Sequence, residues 1–167
     1  MNTPRLARLV ITMHLAALPL GAMAQLQLGE KAPNELGRAK NGDLVRIPDS
    51  PAQVHAVTFW ASWCGPCQVE LPMLEKLQRV LGPDKLRVIA VNIEDRDVFR
   101  KVTRDMADWK MTLSNDPYKT AQKTYKGGPI PHLTIIGRDG MVKKVFIGYS
   151  GDELKTVVTA VVDAINE

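Results

Sequence analysis

The chain has 167 residues, 22 of them basic and 18 acidic, so its formal net charge is +4. This length suits one domain with its own hydrophobic core, and 45% hydrophobic and 24% charged residues are ordinary for a globular protein. Two basic residues, Arg5 and Arg8, lie in a segment that we expect to be removed, which leaves +2. So weak and mixed a charge gives no reason to expect a nucleic-acid partner.

Residues 1–24 are predicted to be a secretory signal peptide that precedes one domain over 25–167. A basic start is followed by a mostly apolar stretch at 9–20, and the sequence AMA at 22–24 offers small residues to a signal peptidase. An uncleaved membrane anchor is the alternative, although the apolar stretch is short for a span of about 20 residues. We therefore expect a periplasmic or otherwise extracytoplasmic protein, tethered to the membrane if the leader is retained.

The only two cysteines, Cys64 and Cys67, form one Cys-x-x-Cys motif. A disulfide across so short a loop restrains little of the unfolded chain's entropy, so a purely structural role explains it poorly. A zinc site would need about four ligands, and neither His55 nor His132 has zinc-finger spacing, so we expect no metal. We therefore expect redox chemistry of the cysteine pair itself, with no cofactor beyond a redox-active Cys64–Cys67 disulfide.

The N-terminal half predicts a hairpin, then two buried strands with a helix between them. Asn41-Gly42 is a strong hairpin signal, apolar β-branched stretches indicate the strands, and leucines at helical spacing indicate the helix. In chain order, the predicted elements are an extended lead-in over 25–32, the hairpin around 41–42, a loop at Ser50-Pro51, a strand over 54–60, a helix over 67–81 and a strand over 86–92.

The C-terminal half predicts an α/β fold with a mixed central sheet flanked by helices. Helices between strands imply parallel pairing, whereas a hairpin near the end of the chain adds an antiparallel edge. The first predicted element is a helix with Val98, Val102, Met106 and Trp109 on one face, and a strand over 111–114 follows it. Asp116-Pro117 is predicted to start a second helix, with Tyr118, Ala121 and Tyr125 on one face. A hairpin of strands over 133–136 and 141–148 comes next, and then a last helix that is capped by Ser150 and Glu153 and has an apolar stripe from Leu154 to Ile165.

The motif WCGPC at 63–67 falls where the predicted strand ends and the helix begins. Free N–H groups and the helix dipole stabilise negative charge there, so Cys64 is predicted to be the nucleophilic thiolate at the exposed lip. Cys67, one turn inward, is predicted to resolve the mixed disulfide. Gly65 allows close approach of a partner's backbone, and Pro66 fixes φ in the first helical turn, where its missing N–H costs nothing.

In this motif the chain resembles the thioredoxin superfamily. Pro72 matches the proline that follows the motif inside the helix of that superfamily, and Ile130-Pro131 matches its cis-proline loop, which implies a cis bond and a catalytic role for Pro131. Trp63 would offer partners an apolar contact. The candidates for substrate contact are Trp63, Gly65, Pro66, Ile130 and His132.

Within the superfamily, roughly residues 28–165 resemble the TlpA/ResA branch of secreted or membrane-tethered proteins. The likeness rests on the leading hairpin, the glutamate three residues after Cys67, an inserted helix and strand after VIAVNIED, and the turn around Asp139-Gly140. It implies a thioredoxin fold with an N-terminal hairpin and a TlpA-type inserted helix and strand. It also implies electron delivery to protein disulfides outside the cytoplasm, often during cytochrome c maturation.

Three positions leave alternatives open. Glu70 is predicted to tune proton transfer at the thiols, and the alternative is a solvated acid on the helix surface. Thr58 stands where thioredoxins proper have a buried aspartate, so that proton relay is missing. His132 stands where the family usually has threonine; it would contact substrate or stabilise the thiolate, or be an ordinary histidine at a strand start.

The leading hypothesis is a reductase of protein disulfides, supplied with electrons by a membrane thiol-transferring partner. The Gly-Pro dipeptide between the cysteines resembles thioredoxin, whose potential is about −270 mV, rather than oxidants near about −120 mV. An oxidase or isomerase with the same chemistry is the first alternative. A peroxiredoxin-type peroxidase needs a P-x-x-x-T-x-x-C frame, which the residues before Cys64 lack. A non-catalytic binding module is the third alternative.

Overall fold

A seven-stranded mixed sheet forms the centre of the fold in the computed structural model, which describes residues 26–48 and 52–167. The strands are β1 (Glu35–Arg38), β2 (Leu44–Arg46), β3 (Val54–Trp60), β4 (Leu86–Asn92), β5 (Thr112–Asn115), β6 (His132–Ile136) and β7 (Val142–Ile147). The helices are α1 (Gly65–Leu81), α2 (Arg96–Val102), α3 (Thr120–Thr124) and α4 (Leu154–Asn166), the last preceded by a 3₁₀ turn, Gly151–Glu153. The predicted signal peptide and the loop at Ser50-Pro51 lie outside the described residues. Among the described helices, none combines the length and the apolar character that crossing a membrane requires.

The strand order is β2-β1-β5-β4-β3-β6-β7. The three central strands β5, β4 and β3 run parallel, and every other neighbouring pair is antiparallel. The predicted mixed sheet, leading hairpin and inserted helix and strand are therefore confirmed. Parallel register from Val54–Leu86 to Trp60–Asn92 brings the carboxyl ends of β3 and β4 to one edge, where the cysteine motif follows β3.

Strand β3 is buried along its whole length because helices cover both of its faces. Successive side chains of a strand point to opposite faces. Thr58 contacts Glu70 of α1, whereas the ring of Phe59 lies edge-on to Tyr125, just after α3, with centroids 5.3 Å apart. Helices α1 and α3 therefore lie on opposite faces of the sheet, and both pack against the strand that leads into the motif.

Helix α1 begins two residues earlier than predicted. Cys64 has extended backbone angles and is its N-cap, so Pro66 occupies the first turn, where no intrahelical N–H bond is lost. The helix ends as predicted at Gly82, whose N–H donates to the carbonyl of Gln78 at 2.9 Å and whose φ of 86° few other residues adopt.

The predicted helical face from Val98 to Trp109 is wrong, because α2 ends at Val102. The hydroxyl of Thr103 donates to the carbonyl of Phe99 at 2.6 Å, which competes with further helical bonding, and turns follow. Phe99 is the buried residue of α2, whereas Val98 is exposed.

Helix α3 does not begin at Asp116-Pro117 as predicted, but at Thr120. Both carboxylate oxygens of Asp116 accept backbone N–H groups, one from Thr120 and one from Gln122, each at 2.9 Å. Asp116 therefore caps the helix from four residues before it. Tyr118 lies in the turn before the helix and is 83% exposed, whereas Tyr125 is buried, so the predicted helical face that they share is wrong.

Two smaller predictions also change. The described part of the lead-in, 26–32, is mainly a turn around Gly29 and not an extended segment, because the N–H of Glu30 donates to the carbonyl of Gln27. The capping box of Ser150 and Glu153 is confirmed, but it caps the 3₁₀ turn before α4. Within the stripe of α4, the fully buried residues are Val157, Val161 and Ala164, while Leu154 is exposed.

A buried carboxylate attaches the inserted segment to α1. Glu75 accepts the backbone N–H of Lys110 at 2.8 Å and that of Met111 at 2.9 Å, and it also accepts the Nε–H of Arg79 at 2.6 Å. Arg79 in turn donates to the carbonyl of Asp108. Backbone groups of the inserted segment are thus hydrogen-bonded to side chains of α1, the helix that carries the cysteines, and not left to solvent.

Candidate active site

The two cysteines form a disulfide at the amino end of α1. The S–S distance is 2.02 Å, and the N–H of Cys67 points at Cys64 Sγ from 3.2 Å. Cys67 is fully buried, while Cys64 keeps 4% of its surface, so Cys64 is the more accessible sulfur but is not on an open lip. The same N–H can stabilise a thiolate on Cys64 after reduction.

No acidic residue lies in the first turn of α1, all of which is described, so nothing in that turn offsets the positive end of the helix. Backbone N–H groups without intrahelical partners converge on the same place. Both effects favour the anionic form of a sulfur at the N-cap. The arrangement is therefore suited to a nucleophilic Cys64, with Cys67 one turn away to complete the exchange.

Glu70 lies one turn beyond Cys67 and is completely buried, so the alternative of a solvated surface acid is wrong. Its Oε2 accepts the hydroxyl of Thr58 at 2.6 Å, while its Oε1 has no hydrogen-bond partner among the described residues. Burial raises the pKa of Glu70 to about 7; the Thr58 bond opposes that rise and the charge of Glu153 adds to it. A carboxyl with such a pKa can give or take a proton near neutral pH.

The loop between β3 and Cys64 is held by a carboxylate that the sequence did not reveal. Glu94 follows β4, and its Oε2 accepts the backbone N–H of Ser62 at 2.6 Å while its Oε1 accepts the Ser62 hydroxyl at 2.8 Å. Gln68 of α1 donates to the carbonyl of Ser62, and Asn92 donates to Glu94. The only sequence signal was an acid directly after a buried strand, at the edge where β3 also ends.

We expect Glu94→Ala to slow thiol–disulfide exchange several-fold and to destabilise the chain by about 1–3 kcal/mol, because the Ser62 N–H loses its acceptor. Ser62→Ala removes only the hydroxyl bond and should cost less, about 0.5–1.5 kcal/mol. Denaturant unfolding and exchange with a small disulfide measure both effects. Equal stability of wild type and Glu94→Ala would contradict this role.

The loop before β6 contains the predicted cis-proline. The Ile130–Pro131 bond is cis, as the resemblance implied, and the carbonyl of Pro131 accepts the N–H of Gly148 at 2.8 Å. Pro131 is buried and Ile130 half-buried, whereas Trp63 is 69% exposed beside the cysteines. Gly65 and Pro66 are also exposed.

A groove of about 480 Å³ runs between Trp63 and this loop. Apolar side chains of Trp63, Ile93, Pro129 and Ile130 line it, and Lys119 and Lys123 complete its wall. The structure therefore brings two of the predicted substrate-contacting residues, Trp63 and Ile130, into one concave surface.

His132 does not lie on that surface. Its ring is completely buried and stacks on Phe59, with centroids 6.0 Å apart, on the opposite sheet face from Glu70. Neither ring nitrogen has a hydrogen-bond partner within the described part of the chain, and burial lowers the pKa of His132. The expectation of direct substrate contact is not met, because no part of the ring reaches the groove surface. A strand-start histidine packed in the core describes it better.

Comparison with known proteins agrees with this geometry. The sequence profile of the Redoxin family matches residues 27–161. The chain belongs to the Redoxin family. The thioredoxin-like protein YneN of Bacillus subtilis (strain 168) is 36% identical over 125 residues, which are 74% of this chain and 73% of that protein.

Other relatives of this Redoxin-family chain carry more specific names. The thiol-disulfide oxidoreductase ResA of Bacillus anthracis is 27% identical over 124 residues, 74% of this chain and 72% of its own. A solved structure described as a putative thiol:disulfide interchange protein DsbE from Chlorobium tepidum has a TM-score of 0.77 and 26% identity, covering 84% of this chain and 99% of its own. With its paired cysteines, this Redoxin-family member is a thiol–disulfide oxidoreductase of thioredoxin fold.

No cluster of metal-ligating side chains is present among the described residues of this Redoxin-family chain. Across 26–48 and 52–167, no group of three or more His, Cys, Asp or Glu side chains could hold an ion. The site itself offers two sulfurs, the carboxyl of Glu70 and the backbone N–H groups of the first turn of α1.

Proposed function

We propose that this chain reduces disulfides of other proteins outside the cytoplasm and receives its electrons from a membrane thiol-transferring partner. The observation that carries the proposal is the position of Cys64 Sγ at the uncompensated amino end of α1, with the Cys67 N–H 3.2 Å away. A sulfur held in this way is stabilised as the thiolate, which is the attacking species in disulfide exchange.

The reaction then proceeds in two exchanges. The Cys64 thiolate attacks one sulfur of the target disulfide, a Cys64–target disulfide forms, and the target's other sulfur leaves as a thiolate. The Cys67 thiolate next attacks Cys64 Sγ, which re-forms the Cys64–Cys67 disulfide and releases the second target sulfur. Two electrons and two protons pass in total from the dithiol to the target, and the membrane partner restores the dithiol by the reverse exchange.

Glu70 is the group best suited to handle a proton for Cys67. It is one helical turn from that buried thiol, and water has no access to either side chain. With a pKa of about 7, the carboxylate form takes the proton from Cys67 before the second exchange, and the acid form then gives that proton up to the target sulfur, which leaves as a thiolate. Pro131 is assigned to the substrate side because the resemblance implies this role for the cis-proline and because Ile130, joined to it by the cis bond, lines the groove.

Location and target class rest on the sequence and on the relatives. Residues 1–24 have the composition of a secretory leader and lie outside the described residues. The resemblance to ResA-like proteins makes the thiol pairs handled in cytochrome c maturation the first target class to test. An exported reductase needs a thiol-transferring partner in the membrane because the cytoplasmic thiol pool does not reach it.

The direction of electron flow is tested by the reduction potential of the Cys64–Cys67 couple. Because Gly-Pro separates the cysteines, we expect a value near about −270 mV, far from oxidants near about −120 mV. Equilibration with dithiothreitol or glutathione redox buffers, read as the fraction of free thiol, measures it. A potential at the oxidant end would overturn the reductase direction and favour the oxidase or isomerase alternative.

A further inference from the structure

The groove lined by Trp63, the residue directly before Cys64, combines apolar surface with two cationic side chains. Trp63, Ile93 and Ile130 supply the apolar surface, and Trp63 is 69% exposed. Lys119 is the N-cap residue before α3 and Lys123 lies in the last turn of that helix, and both line the groove. Both are exposed.

Among the described residues, no acidic side chain lines this groove, so its charge is of one sign. Two acids close in sequence to the lining residues, Asp116 and Glu94, are hydrogen-bonded to other groups. Both carboxylate oxygens of Asp116 accept backbone N–H groups of α3, and Glu94 is bonded to the amide and hydroxyl of Ser62. Lys126, the next lysine along the chain, is paired with Glu30 and does not line the groove. The positive end of α1 adds to the same local potential.

We propose that this groove selects target proteins whose disulfide is flanked by acidic residues together with an apolar side chain. The proposal rests on the proposed reductase function and adds the substrate class to it. The apolar side chain packs on Trp63 and Ile130, and the acidic residues face Lys119 and Lys123. Charge complementarity of this kind chiefly raises the rate of encounter and disfavours partners of the wrong sign.

The test compares two disulfide peptides that differ only in charge. Both carry one intramolecular disulfide and one leucine beside a cysteine, and the flanks hold either two aspartates or two lysines. The second-order rate of oxidation of the pre-reduced chain is measured for each peptide, and for bis(2-hydroxyethyl) disulfide as a small neutral substrate. We expect the acidic peptide to react about tenfold faster than the basic one at low salt, and the difference to shrink at 0.5 M salt, roughly a 4 Å Debye length.

Charge variants assign the preference to the two lysines. Lys119→Glu with Lys123→Glu should reverse it, and Lys119→Gln with Lys123→Gln should abolish it without reversal. The matched control is Lys76→Glu with Lys155→Glu, two exposed lysines on α1 and α4 outside the groove, which should leave the preference unchanged. The rate with the neutral disulfide should be the same in the wild type and in this control pair, because Lys76 and Lys155 lie outside the groove.

The outcomes separate the two proposals. Equal rates with both peptides in the wild type, or a preference that survives reversal of Lys119 and Lys123, would overturn the substrate class while the reductase function stands. Reversal of the preference by the control pair would overturn it too, since the net charge of the chain would then decide. Failure to reduce even the neutral disulfide would overturn the reductase function, and the substrate class with it.

Discussion

A Cys67→Ser variant is expected to hold its target proteins as mixed disulfides through Cys64. The first exchange needs only the Cys64 thiolate, whereas release needs the buried thiol that this variant lacks. Covalently linked species should appear on non-reducing gels of an extracytoplasmic fraction and disappear after treatment with dithiothreitol. Mass spectrometry of the linked species then identifies the target cysteine.

The reciprocal variant is the control. Cys64→Ser should form no mixed disulfide and should lower exchange to the uncatalysed background, because Cys67 is fully buried and cannot reach a target. Undiminished function of Cys64→Ser in the cell would instead favour a non-catalytic binding module. Recovery of linked partners from Cys64→Ser but not from Cys67→Ser would reverse the two roles assigned here.

The second large effect is a pH dependence of stability that originates at Glu70. Burial raises the pKa of this carboxyl from 4.5 to about 7, so the folded chain binds its proton more tightly than the unfolded chain does. The free energy of unfolding should therefore fall as the pH rises from about 4.5 to about 7, by about 3 kcal/mol, and level off above that range. Denaturant unfolding of the disulfide form at a series of pH values measures it.

Two variants isolate this contribution. Glu70→Gln removes the titrating group, so the free energy of unfolding of this variant should not show the fall between about pH 4.5 and about pH 7. The difference in unfolding free energy between wild type and variant should show that fall. Thr58→Val removes the hydroxyl that stabilises the carboxylate at 2.6 Å and should move the loss to higher pH. His55 and His132 titrate equally in all three proteins and cancel in the differences. Parallel profiles of wild type and Glu70→Gln would contradict a raised pKa at Glu70.

Strands β3 and β4 were predictable to the residue because their signal is local. Each is a short, mostly apolar run with β-branched residues, which is typical of a strand covered on both faces. The cysteine pair was predictable for a related reason, since the residues that place it at a helix start all lie within WCGPC. The predicted start of α3 was wrong because its cap lies outside the helix: Asp116 accepts the N–H groups of Thr120 and Gln122.

The chemical surroundings of the sulfurs were less accessible from the sequence. The burial of Glu70 depends on which face of α1 packs against β3. One glutamate in a helix does not show which face that is, because glutamate is also common on helix surfaces. The bonds of Glu94 to Ser62 join residues 32 positions apart, so their pairing arises only from the register of β3 with β4. The core packing of His132 likewise follows from its place opposite Phe59 in the β3–β6 ladder.

The attachment of the inserted segment through Glu75 divides the molecule into parts that can change and parts that cannot. Glu75 is about three helical turns from Cys64, so the insertion is secured at a point remote from the sulfurs. The exposed positions Arg104, Ala107 and Asp108 of the turns after α2 can therefore accumulate substitutions during evolution while the redox centre keeps its geometry. The outer surface of the inserted segment can therefore change, and with it the proteins that it contacts, while the thiol–disulfide reaction is preserved.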